Sequence, residues 1–140
     1  MRIVRKPLNP VIGQVSAGLV ILDTVKIEGF FLGGLAVIRS ILLVDKANRG
    51  QPLDIIFLRT NVSVGTAGQP ISITNGDTDE IYGIETFSNY KDMVNSKIQH
   101  KEVYIPVQTF GQQNDLWVAV VCRGGTPNYN QGLRLVMGVE

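Results

Sequence analysis

Short runs of apolar residues, separated by polar and glycine-containing turns, recur along the chain and predict strands. The two richest runs are Leu35–Asp45 and Leu53–Leu58, and residues 45–52 between them contain the Asn, Gly and Pro that are typical of turns. Neither run is long enough for a typical helix, and both are rich in strand-forming residues. The pattern therefore predicts a hairpin of these two strands, whose apolar face needs a second layer from the rest of the chain.

Alternation of apolar and polar residues predicts further strands around this hairpin. Leu116–Cys122 is apolar on both faces, which indicates a central strand, whereas Pro106 within residues 103–107 indicates an edge or a bulge. Residues 89–99 fit a short helix as well as a strand, and the acidic run Asp77–Glu80 predicts a single helical turn. The remaining strands are predicted at residues 11–15, 19–27, 71–74, 83–87 and 133–139, with loops at 29–34, 59–70 and 123–132 and a turn at 111–115.

About eight strands with almost no helix predict an all-β fold, a single-domain antiparallel β-sandwich that is jelly-roll-like. Residues 1–18 contain charges and two prolines and are predicted to form an extended N-terminal arm before a β-sandwich domain at residues 19–140. Two alternatives remain for this arm. It is either the first edge strand of its own domain or a segment laid on a neighbouring subunit.

Composition argues against several functional classes. The 140 residues carry a net charge of +1, so no global field attracts nucleic acid or an acidic membrane surface. Three of the 13 basic residues, Arg2, Arg5 and Lys6, lie in the first six positions. No signal peptide is expected, because prolines follow the basic start, and no membrane span is expected, because glycines and Arg39 interrupt the longest apolar stretch.

The residues that could carry chemistry do not assemble into a catalytic set. His100 is the only histidine and is expected at the surface, and Cys122 is the only cysteine and is expected as a buried, inert thiol. Asp77, Asp79 and Glu80 are weak candidates for a cation site, but a turn followed by a helix cap is the preferred interpretation. We therefore expect no enzyme activity, no metal and no cofactor.

The order of features from residue 34 onward resembles that of small β-sandwich structural proteins encoded among the head genes of tailed bacteriophages. The resemblance rests on pattern and covers residues 19–140. It is carried by Gly33-Gly34 before an apolar strand that ends in Asp45, by Gln51-Pro52-Leu53-Asp54, by Asp77-Thr78-Asp79 before Gly83-Ile84, by Leu116–Cys122, by Gly125-Thr126-Pro127-Asn128-Tyr129 and by the final strand Leu133–Val139.

This resemblance implies a virion structural protein, a capsid decoration or cement protein that binds over junctions of the major capsid protein and stabilises the phage head. It further implies a homo-oligomer, with a trimer favoured, that is made in the host cytoplasm and located on the capsid surface. The partner-binding residues expected on this basis are the basic Arg2, Arg5 and Lys6 and the paired phenylalanines Phe30 and Phe31.

Two alternatives to the decoration protein remain. One is a tail or baseplate structural protein, since these also use small sandwiches. The other is a ligand-binding sandwich, lectin-like or receptor-binding, that would use aromatic side chains together with polar loop residues. Exposure of the aromatic rings decides this alternative, because rings buried between the sheets would leave it without a binding platform. The aromatic residues concerned are Tyr82, Tyr90, Trp117 and Tyr129.

Overall fold

The computed structural model describes residues 1–109 and 114–140, which fold into two antiparallel sheets packed face to face. One sheet has five strands and the other has four. Within the described residues the helical structure is one four-residue 3₁₀ helix, Asp77–Glu80. The predicted all-β sandwich is confirmed. Its strands are β1 (Arg2–Leu8), β2 (Val20–Ile27), β3 (Leu35–Asp45), β4 (Leu53–Leu58), β5 (Ile81–Phe87), β6 (Lys91–Asp92), β7 (Lys97–Gln108), β8 (Leu116–Cys122) and β9 (Leu133–Val139).

The strand order in the two sheets is that of a jelly roll. Without the two-residue β6, the sheets run β1-β9-β3-β7 and β2-β8-β4-β5. The pairs are nested: β1 with β9, β2 with β8, β3 with β7, and β4 with β5. A long antiparallel hairpin rolled into two sheets gives this arrangement, so the prediction of a jelly-roll-like sandwich with about eight strands is confirmed.

The predicted hairpin of β3 and β4 is wrong. β3 pairs with β7 and β9 in the five-stranded sheet, whereas β4 pairs with β5 and β8 in the four-stranded sheet. The polar residues 46–52 therefore cross from one sheet to the other. Both strands are central in their sheets, which agrees with their many apolar residues.

Several shorter segments differ from their predictions because pairing with distant strands overrides local preference. Residues 89–99 form β6, a turn and the start of β7, and not a helix. The strands predicted at 11–15 and 71–74 are wrong. The first segment keeps a single bridge, from Gln14 to Asn128, and the second contains no strand residue. The 3₁₀ helix and the edge position of Pro106 are confirmed, because β6 covers β7 only at residues 97 and 98. The turn predicted at 111–115 falls largely on residues 110–113, outside the described residues.

The main core lies between the inner faces of the two sheets. Alternate side chains of β3 and β9 meet those of β4 and β8, and nearly all of them are fully buried. Burial of this apolar surface is the dominant force that holds the sandwich closed. Its largest buried side chains include Phe30, Phe57, Phe87 and Tyr129.

The N-terminal segment lies on its own domain over residues 2–8. β1 is the outermost strand of the five-stranded sheet and pairs with β9 from Arg2 opposite Val139 to Leu8 opposite Leu133. Leu8 closes one end of the core and is fully buried. Contact of residues 1–18 with a neighbouring subunit, and the division of the chain at residue 18, remain predictions.

Candidate interaction surface

The outer face of the four-stranded sheet is covered by the chain itself. The segment 59–74 crosses this face and packs against outward side chains of β2, β4 and β8, which forms a second, smaller apolar core. Val64 from the segment is fully buried there. Asp23 in β2 fixes the segment, since Oδ1 of Asp23 accepts the N–H of Val64 at 2.9 Å and Oδ2 accepts the Ser63 hydroxyl at 2.7 Å.

The outer face of the five-stranded sheet has no such cover from the described residues. Apolar side chains that belong to neither core lie across it, for example Val136 beside Leu42, and the polar His100 lies on the other side of Leu42. Leu35 and Ile3 on this face are 74% and 50% exposed. We name this surface the open face. Its outward side chains are Ile3, Arg5 and Pro7 of β1, Arg134 and Val136 of β9, Leu35, Val37, Arg39, Leu42 and Val44 of β3, and Ile98, His100, Glu102, Tyr104 and Pro106 of β7.

One charged side chain organises the polar part of the open face. Nε of Arg39 lies 3.0 Å from Oε2 of Glu140, and the Arg39 guanidinium lies over the Tyr104 ring at 5.2 Å from its centre. Tyr104 is 66% exposed, so a ring and a paired guanidinium are presented together to solvent. Aromatic and arginine side chains of this kind are enriched at protein interfaces.

Three of the residues expected to bind a partner are brought together inside the chain. Phe30 and Phe31 are buried, and their rings meet edge to face with centres 5.1 Å apart. The guanidinium of Arg2 donates to the Phe30 carbonyl and lies 5.6 Å from the centre of the Phe30 ring. The two phenylalanines are therefore part of the core, and their burial stabilises the fold. Leu32 is the exposed apolar residue of this loop.

Arg5 and Lys6 have a different environment. They lie on opposite faces of β1, since successive side chains of a strand alternate. No ion pair within the described residues involves either one. Of the five expected partner-binding residues, these two are the ones that the structure leaves available along an open sheet edge.

The acidic 3₁₀ helix does not gather its side chains around a common point. Glu80 pairs with Arg59, with Oε2 at 2.8 Å from Nε and Oε1 at 3.1 Å from Nη2. This hydrogen bonding lowers the pKa of Glu80 below its usual value. Among the described residues no group of three or more His, Cys, Asp and Glu side chains is placed to hold a metal ion.

The two residues considered for nucleophilic chemistry lie apart. Cys122 is buried, and its Sγ lies 3.3 Å from the Gly124 carbonyl. Burial raises the pKa of this thiol, which disfavours the reactive thiolate. His100 is an exposed side chain of the open face. The arrangement offers no acid–base pair at these positions.

The four aromatic residues of the lectin-like alternative do not form an exposed platform. Tyr129 is buried, Tyr90 donates to the Gln51 carbonyl at 3.1 Å, and Trp117 packs against the second core. Tyr82 binds the backbone of β7 through its hydroxyl group. The exposed aromatic side chain of the described residues is Tyr104, which is not one of these four.

Sequence reasoning also missed two buried carboxylates. Asp45 is fully buried at the end of β3, and Asp54 in β4 is 8% exposed. Asp54 accepts from Nε of Arg123 at 2.7 Å and from the Thr86 hydroxyl at 2.6 Å. An Asp that interrupts or ends an apolar run is the signal that could have identified both residues, because a buried carboxylate needs compensating donors.

The described part of the chain also contains no helix with the length and apolarity needed to cross a membrane.

No protein-family model matches the chain, and no curated protein matches it. Among solved structures, it is similar to a β-porphyranase of glycoside hydrolase family 86 from the human gut bacterium Bacteroides plebeius, with 14% identity and a TM-score of 0.27. It is also similar to a marine algae virus of the order Picornavirales, with 10% identity and a TM-score of 0.22. A further similar structure is the VP2 subviral particle of infectious bursal disease virus, with 13% identity and a TM-score of 0.25.

Viral capsid proteins are thus among the structures to which the chain is similar, beside a glycoside hydrolase. In all three cases 99% of this chain is covered, but it spans 21%, 66% and 37% of the length of the three matched chains. With TM-scores this low, the likeness carries no argument about function.

Proposed function

We propose that the protein is a non-enzymatic virion structural protein, a decoration or cement protein that binds over junctions of the major capsid protein through its open face. The observation that carries the proposal is the difference between the two outer faces of the sandwich. The chain covers one with its own segment 59–74 and leaves the other open, although both are rich in apolar side chains. An uncovered apolar surface of this kind marks an interaction site.

The fold is compatible with this role. Jelly rolls occur in viral capsid domains and also in lectins, so the fold alone does not choose between them. The burial of Tyr129 and the engagement of Tyr82 and Tyr90 within the chain favour the structural protein over the lectin-like alternative. A homotrimer on the capsid surface, made in the host cytoplasm, is part of the same proposal.

The test is binding to empty heads of the phage that encodes the chain. Leu35→Glu and Tyr104→Glu place a charge on the open face at positions that are already exposed, so the fold should tolerate them. The matched controls Val11→Glu and Ile84→Glu alter apolar residues that are 93% and 48% exposed elsewhere. We expect co-sedimentation with heads to be lost in the first pair and kept in the controls.

The proposal is overturned if the wild-type protein does not bind heads, or if the controls lose binding as much as the open-face variants. Solution mass by light scattering tests the oligomer separately, since a strict monomer at all concentrations contradicts the trimer. A tail or baseplate protein would bind purified tails and not heads.

A further inference from the structure

The four edges of the two sheets are not equally available. The edge of β2 is covered by residues 62–69, because Val20 donates to the Gln69 carbonyl at 2.9 Å and accepts from Gly68 at 2.8 Å. At the edge of β7, β6 pairs at one end and the Tyr82 hydroxyl binds Gln108 at the other. Lys101 reaches the Thr86 carbonyl of β5 at 3.0 Å.

The edge of β1 has neither a backbone nor a side-chain contact of this kind from the described residues. β1 pairs with β9 on one side, and no described residue makes a backbone hydrogen bond to it on the other. Antiparallel pairing uses the N–H and C=O of alternate residues, so the residues between them direct theirs away from β9, except that Pro7 has no N–H to donate. Such an edge is a template for one more strand.

The charge of this edge restricts what can pair there. The first acidic residue of the chain is Asp23, so β1 contains Arg2, Arg5 and Lys6 without an acidic side chain. β9 beside it adds Arg134 and likewise has no acidic residue. Arg5 is exposed on the open face, and Lys6 projects from the opposite side of the strand.

We propose that β1 binds an extended acidic segment of a partner protein, which adds to the five-stranded sheet as a sixth strand. Backbone hydrogen bonds to the free edge supply the pairing, and carboxylates on both faces of the incoming strand meet Arg5 and Lys6. A second copy of β1 fits less well, because antiparallel self-pairing centred on Arg5 or Lys6 would set like charges against one another. This inference does not rest on the virion role. It uses the backbone edge of β1, although the side chain of Arg5 also belongs to the open face.

The probe is a capped synthetic peptide of alternating threonine and glutamate, compared with a threonine–lysine peptide of the same length. Binding is followed by amide chemical shifts and hydrogen exchange of the full chain. We expect the acidic peptide to slow exchange at β1 amides, and the basic peptide to have no effect. A proline at the centre of the acidic peptide should abolish the protection, because proline cannot complete the ladder.

Charge reversal at the edge gives the second test. Arg5→Glu with Lys6→Glu should weaken binding of the acidic peptide roughly tenfold or more, since two favourable cross-strand pairs become repulsive. Lys91→Glu is the matched control, because Lys91 is an exposed basic residue at the far edge of the same sheet. The inference is overturned if the acidic peptide protects amides elsewhere, if both peptides bind equally, or if the free protein already protects this edge by self-association.

Discussion

The hydroxyl group of Tyr82 binds both backbone groups of Gln108, donating to its carbonyl and accepting its N–H at 3.2 Å. Tyr82 belongs to β5 at the edge of one sheet, and Gln108 ends β7 in the other. One side chain therefore joins the two layers of the sandwich and caps an edge that would otherwise be free to pair with another chain.

Tyr82→Phe removes this link and keeps the ring. We expect the free energy of unfolding to fall by about 1 kcal/mol, the usual net value of a hydrogen bond. Urea denaturation measures it, with the exposed Tyr104→Phe as a control that should leave stability unchanged. Equal stability of Tyr82→Phe and the wild type would mean that this hydrogen bond does not contribute to the free energy of unfolding.

Asp45 is the second structural feature with a direct test. Its Oδ1 accepts the N–H of Ala47 at 3.0 Å, and its Oδ2 accepts those of Arg49 and Gly50 at 2.8 Å each. Asn48 and Gly50 in this turn have positive φ angles of 59° and 66°. The buried carboxylate therefore holds the turn through which the chain crosses between sheets.

Asp45→Ala leaves these donors without an acceptor, and we expect a loss of about 3 kcal/mol of stability. Asp45→Asn retains one acceptor oxygen and should lose less. The control Asp79→Ala removes an exposed carboxylate and should change stability by less than about 0.5 kcal/mol. If Asp45→Ala unfolds at the same urea concentration as the control, the carboxylate is not the anchor of the turn.

Local pattern was enough to place most strands, because apolar alternation depends on which faces of a strand are buried. β8 lies where the continuous apolar run of residues 116–122 predicts it, and β9 lies where the alternation of residues 133–139 predicts it. Pairing was not predictable in the same way. β3 and β4 are neighbours in sequence, but they pair with other strands and not with each other. The residues of either run do not specify which strands those partners are.

The candidate surface was predictable only in part. The basic residues Arg5 and Lys6 were selected because charge is visible in the sequence, and their role in partner binding stays a prediction. Phe30 and Phe31 were assigned to a partner surface although they are buried, since a glycine-flanked aromatic loop has the same pattern whether it folds inward or outward. The contrast between covered and open faces depends on where the segment 59–74 lies, which is a tertiary property.

Val94 provides a test of local strain. It has a φ of 73° in the turn between β6 and β7, a conformation that is unfavourable for a β-branched residue. Its carbonyl accepts from Nδ2 of Asn48 at 3.0 Å. Asparagine tolerates a positive φ, so Val94→Asn should raise stability by about 1 kcal/mol.

The reciprocal change Asn48→Val places a β-branched side chain at a φ of 59° and also removes this hydrogen bond. We expect it to lower stability by about 2 kcal/mol. Thermal unfolding of both variants measures the effect. A Val94→Asn variant less stable than the wild type would show that the valine side chain stabilises the turn.

Tyr129 gives the last prediction, which concerns alkaline pH. Its phenol oxygen is buried without a hydrogen-bond partner among the described residues, whereas Tyr90 nearby donates to Gln51. Burial raises the pKa of both phenols in the folded state. Because the folded protein then holds these protons more tightly than the unfolded chain, stability is complete below the ordinary tyrosine pKa of about 10 and falls as the pH rises above it.

At neutral pH, Tyr129→Phe should be neutral or slightly stabilising, since it removes an unpaired polar atom from the core, whereas Tyr90→Phe should lose about 1 kcal/mol. Above pH 10, Tyr129→Phe should reduce the fall in stability by up to about 1.4 kcal/mol per pH unit, the contribution of one proton. Urea unfolding at pH 7 to 11.5 measures both effects, with Tyr104→Phe expected to keep the wild-type slope. A Tyr129→Phe variant that is markedly destabilised at neutral pH would mean that the phenol has a partner, because only a satisfied hydroxyl group contributes stability when buried.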